Sequence, residues 1–77
     1  MTKANKHNRR KRIIQMADTT IEVGEVLTNT EIAVRINAIP DWRGQQRTYN
    51  INAFKVNSAL KTADGYIWAE NTWRRVA

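Results

Sequence analysis

The chain has 77 residues, with 13 Lys and Arg against 7 Asp and Glu for a net charge of +6, no cysteine and a single histidine, His7. That length makes one small domain, burying roughly 60% of its unfolded surface and leaving little material for a deep catalytic cavity; large multi-lobed enzymes are excluded. The missing cysteines exclude disulfide frameworks, thiolate nucleophiles, Cys/His zinc sites and Cys-ligated iron–sulfur clusters, and the positive balance points to an anionic partner.

The charge is unevenly spread. Residues 1–12 hold Lys3, Lys6, Arg9, Arg10, Lys11 and Arg12 without an acid. Six like charges and almost no apolar surface predict a basic tail, disordered when free, ahead of a domain over 13–77. Residues 13–31 carry Asp18, Glu22, Glu25 and Glu31 without a base, and residues 32–77 hold seven bases and three acids, so the body beyond the tail is neutral. No apolar run approaches the roughly 20 residues of a membrane span, and no apolar segment follows the opening Met-Thr-Lys-Ala-Asn-Lys-His, so neither a membrane protein nor one with a standard secretion signal is expected.

From Ile13 the period becomes helical. Ile13/Ile14, Ala17 and Ile21 recur on one face, predicting a first helix over about 9–22 that Gly24 ends. Glu25-Val26-Leu27 is a short extended piece. Thr28-Asn29-Thr30-Glu31 has the spacing of a capping box, opening a second helix whose stripe is Ile32, Ala33, Ile36 and Ile39 and which Pro40 stops. Residues 40–48 read as a loop. A third helix over about 49–62 follows, with Tyr49, Ala53, Val56, Leu60 and Ala63 inward, Phe54 at the margin, and an acid-free opposite face of Asn52, Lys55, Ser58 and Thr62. Asp64-Gly65 breaks it. The β-formers of 66–69 and 72–76 then make a hairpin around Glu70-Asn71 in which Trp68 faces Trp73. That pair reads as a clamp closing the core, with a base-stacking platform as the alternative.

Helix, short strand, helix, loop, helix and two-stranded hairpin is the element order of a winged helix-turn-helix, and the residues resemble that family. Thr28, Glu31, Ile32 and Ala33 match its capped second helix, and Ala59-Leu60-Lys61-Thr62-Ala63-Asp64-Gly65-Tyr66-Ile67 is similar to the end of its third helix and the start of its wing. The resemblance covers residues 13–76. It implies an α+β, mainly α fold of three helices with a short C-terminal β-hairpin. The Glu70-Asn71 tip lacks the Lys or Arg of a groove-inserting wing, and none is expected here.

The resemblance further implies a third helix lying in a major groove of double-stranded DNA, with Asn50, Asn52, Lys55 and Ser58 as candidate base-reading residues. Arg43 and Arg47 in the loop and Arg74 and Arg75 on the last strand are candidate phosphate contacts, and Arg9, Arg10, Lys11 and Arg12 add counterion-release affinity. A cytoplasmic, nucleoid-associated transcription regulator or accessory nucleoprotein is the leading expectation, with a homodimer as one route to specificity. Eight isoleucines against two leucines, with eight asparagines, suit A/T-rich coding DNA, a composition like that of many phage proteins. A second reading is a protein-interaction module, such as a phage factor binding host RNA polymerase or a host regulator. A third takes Asn5 to Gln15 as an arginine-rich helix for an RNA hairpin. Asp18, Glu22 and Glu25 read as a solvated acidic face. No catalytic residue, cofactor or metal ligand is assigned, because no nucleophile set, phosphate loop or carboxylate cluster is present.

Overall fold

A computed structural model of the chain describes residues 2–40, 44 and 51–77, with side chains from Arg9 onward. Three helices and three strands follow in the order α1 (Thr2–Thr20), β1 (Val26–Leu27), α2 (Asn29–Asn37), α3 (Ala53–Leu60), β2 (Tyr66–Ala69) and β3 (Thr72–Arg75). The protein is a small α+β fold in which the helices surround one apolar centre and an antiparallel sheet closes it.

Helix α1 begins seven residues earlier than the periodicity predicts. The basic segment, expected to be a disordered tail, continues the helix back to Thr2. Residues 2–12 have no Gly or Pro, and Lys, Arg and Ala are good helix formers, so extension from a nucleus fixed by core packing at Ile13, Met16, Ala17 and Ile21 needs only propagation. The helix ends at Thr20, two residues early. Gly24 therefore serves the next turn, where Glu25 N–H donates to Glu22 C=O at 3.0 Å and Gly24 takes φ +98° in the third position.

The capping box forms as its spacing predicts. The Thr28 hydroxyl accepts from Glu31 N–H at 3.1 Å, and the Glu31 carboxylate accepts from Thr28 N–H at 2.8 Å. These bonds satisfy two N–H groups of the first turn and place Ile32, Ala33 and Ile36 inward. At the other end, the Asn37 amide brackets the backbone entering α3. Its Oδ1 accepts from Ile51 N–H at 2.8 Å and its Nδ2 donates to Ile51 C=O at 2.9 Å. A side-chain amide thus replaces a strand partner and buries Ile51.

Helix α3 is shorter than expected because Asn52 caps it. With φ −97° and ψ 171°, Asn52 is extended, and its Oδ1 accepts from Lys55 N–H at 2.8 Å, so the helical period starts at Ala53. Val56, Ala59 and Leu60 are fully buried, whereas Phe54 stands outside the core.

The sheet has the order β1-β3-β2. Trp68 pairs with Trp73 across a two-residue turn, Glu70 at φ 54° and Asn71 at φ 63°, the left-handed pair that matches hairpin twist. Leu27, Trp73 and Trp68 form the inner row, since Leu27 and Trp68 both pair with Trp73. The indole rings lie 5.1 Å apart and tilted by 56°. Trp73 is buried and Trp68, on the edge strand, remains 43% exposed. The outer row is Val26, Arg74 and Ile67, all exposed.

Candidate nucleic-acid interface

The functional candidates divide according to what the fold already asks of them. Arg74 and Arg75 are adjacent on β3 and therefore face opposite ways. Arg74 stands exposed on the outer face. The Arg75 guanidinium instead turns to the C-terminal end of α1, donating to Asp18 C=O at 2.9 Å and to Ile21 C=O, with its Nε on Ala77 C=O at 2.9 Å. The last carbonyls of a helix lack intrahelical donors and carry partial negative charge, so a guanidinium there satisfies both needs. Arg75, a candidate phosphate contact in the sequence, thus has its guanidinium engaged with backbone carbonyls.

Arg35 closes the same helix end from α2. It donates to Thr20 C=O at 3.1 Å and grips the Glu25 carboxylate with two bonds of 2.9 Å. The Glu25 carboxyl is held below the ordinary glutamate range, first by this side-chain bond and then by Glu22 N–H, on which Glu25 accepts at 2.9 Å. Asp18 accepts from the Tyr66 hydroxyl at 2.9 Å, and the Tyr66 hydroxyl is pushed up from its ordinary value by burial first and the Asp18 contact second. Asp18 and Glu25 are therefore fixed by partners from β2 and α2, where the spacing alone suggested a solvated acidic face. No sequence signal pairs residues so far apart in the chain.

The base-reading candidates fare differently. Asn52 is committed to its cap, with Oδ1 already occupied by Lys55 N–H. Lys55 and Ser58 are half-exposed on α3. Arg43, Arg47 and Asn50 lie outside the described residues. On α1, Arg9, Lys11 and Arg12 are exposed and Arg10 is half-buried. The α3 surface also includes Phe54, 77% exposed, and Lys61, exposed at its C-cap. Sequence reasoning set Phe54 at the margin of the core, because position 54 borders both faces of the helical wheel.

A polar chain that periodicity does not reveal supports α3 from behind. Trp73 Nε1 donates to Asn29 Oδ1 at 2.7 Å, and Asn29 Nδ2 donates to Asn57 Oδ1 at 3.4 Å. This links the hairpin, the first turn of α2 and the middle of α3, so the indole that fills the core also helps to fix the α3 angle. The only hint in the sequence is that a buried Trp needs an acceptor.

Among the described residues no group of three His, Asp or Glu side chains is placed to hold a metal ion, and no helix is long and apolar enough to cross a membrane. Comparison with protein-family models, with curated proteins and with solved structures finds no match for the chain.

Proposed function

We propose that this chain is a non-enzymatic, winged-helix DNA-binding protein acting in the cytoplasm as a small transcription regulator or accessory nucleoprotein. In this reading α3 enters the major groove while the basic start of α1 holds phosphates. The observation that carries it is the distribution of engaged and outward charge. Asp18, Glu25 and Glu31 each accept a hydrogen bond within the fold, whereas α3 through its C-cap, residues 53–61, contains no acid and carries Ser58 and the exposed Lys61. Helix α1 adds a second argument. Its first turn has no acid and carries Lys3 at the positive end of the helix dipole, and six bases crowd its first 11 residues. That repulsion is relieved by an anionic partner.

The test is fluorescence anisotropy of the full chain with mixed-sequence duplex DNA, single-stranded RNA and an RNA hairpin across a salt series. Duplex preference is expected. Replacing Arg9, Lys11 and Arg12 together by Ser should make the salt slope shallower by about 2 to 3, and Lys55→Ala with Ser58→Ala should remove the duplex preference. Preference for the hairpin, lost with the three basic residues, would favour the RNA reading instead.

The outer sheet face supports a second reading, a protein-interaction module. Val26 and Ile67 are exposed apolar residues on the face that carries Arg74, and Val76, also exposed, follows directly after β3. Retention of a host protein that Ile67→Lys releases, without any duplex affinity, would establish it.

A further inference from the structure

The three fully buried side chains of α3, Val56, Ala59 and Leu60, account for its packing, and Phe54 takes no part in it. At 77% exposure it is the most open large apolar side chain among the described residues. Leaving that ring in water forgoes the stabilisation that burial gives an aromatic side chain, and a partner that covered it would recover that stabilisation. Phe54, Ser58 and Lys61 stand at i, i+4 and i+7, one stripe of the helix surface: a ring, a hydroxyl and an ammonium. A second copy of the chain is a poor fit, because two such acid-free, lysine-bearing stripes repel.

We infer that Phe54 is a specificity-determining contact that seats against thymine methyl groups in the major groove. This rests on the DNA-binding reading above. The major groove edge is polar except at one feature, the thymine 5-methyl, and an apolar side chain in the first turn of a groove-bound helix is placed to meet it. Asn52 cannot use its capping oxygen on a base while it holds Lys55 N–H. Phe54 is then the first exposed side chain of α3. The site selects A·T pairs through a methyl group, and Lys61 on the same stripe holds the duplex without regard to sequence.

The test compares binding of the full chain to alternating dA/dT duplex and to the same duplex with deoxyuridine for thymidine, which removes only the methyl. The native chain should bind the thymidine duplex about fourfold tighter per methyl contacted, the factor expected from burying one such group. Phe54→Ala should bind both duplexes equally, with an unchanged salt slope and an unchanged far-ultraviolet spectrum. Equal binding of the two duplexes by the native chain overturns the inference and leaves the DNA-binding reading standing. A preference that survives in Phe54→Ala overturns it too, as does sedimentation showing a dimer that Phe54→Ala dissociates. Absence of binding to any duplex removes the DNA-binding reading and the inference together.

Discussion

The C-terminal end of α1 and the outer surface of α3 are both polar, yet they are built on opposite plans. At the first, Arg35 and Arg75 arrive from α2 and β3 to meet the carbonyls of Asp18, Thr20 and Ile21, and Glu25 and Asp18 are engaged by Arg35 and Tyr66. At the second, Phe54, Lys55, Ser58 and Lys61 line a helix without one carboxylate. Charge counted along the chain hides this. The acidic first third looks like a surface that would repel nucleic acid, but much of its charge is engaged in joining α1 to the sheet and α2. The exposed Arg9, Lys11 and Arg12 of α1 and Lys61 at the end of α3 then weigh more in the field around the molecule.

Among polar side chains, the largest effect should come from removing the α1 closure. Arg75→Met deletes three hydrogen bonds from a charged donor that is only 19% exposed, and should cost about 2–3 kcal/mol in urea unfolding. Its neighbour gives the contrast: Arg74→Met should change stability by less than about 0.5 kcal/mol. Equal losses at the two positions would erase the distinction between structural and outward arginines.

Gly24→Ala comes next. An added Cβ meets nothing within 4 Å, so the whole cost is the positive φ, about 1–2 kcal/mol in the same measurement. Thr28→Ala breaks the capping box and should cost about 1 kcal/mol.

Acid and alkali should act on the closed end from two sides. The carboxyls of Glu25 and Glu31 are lowered by Arg35 and by the Thr28 amide respectively, so their contribution is complete above the unfolded glutamate pKa and is lost as pH falls through the folded value. Tyr66 is raised, so its contribution is complete below the unfolded tyrosine pKa of about 10 and is lost as pH climbs through the folded one. Thermal midpoints should therefore fall at both extremes. Glu25→Gln should flatten the acid limb alone and Tyr66→Phe the alkaline limb alone.

What the sequence discloses is what short-range periodicity and local hydrogen bonding encode. The Thr28/Glu31 box, the Ile32/Ala33/Ile36 stripe and the Trp68–Trp73 register are all legible, because each depends on residues a few positions apart or on the parity of a hairpin. The ends of α1 and α3 are less so. Propagation into a basic segment is nearly neutral in free energy, and Asn52 is as good a cap as it is an interior surface residue until Ile51 is seen to be held by Asn37. The Arg75 role requires knowing that β3 passes the end of α1. For the interface, the acid-free face was visible, but the division of neighbouring candidates into capping, closing and outward groups depends on tertiary contacts.

The smallest expected effect on stability is at Phe54, and it sharpens the comparison most. A side chain that is 77% exposed has little buried apolar area to lose, and Ala is the better helix former, so Phe54→Ala should leave stability within about 0.5 kcal/mol. The same truncation at Leu60, fully buried on the opposite face of α3, removes a core side chain and should cost about 2–5 kcal/mol. Two substitutions six residues apart on one helix then separate packing from recognition. A loss above about 1 kcal/mol at Phe54 would place its ring among the residues that hold the fold together and remove it from the proposed α3 contact surface.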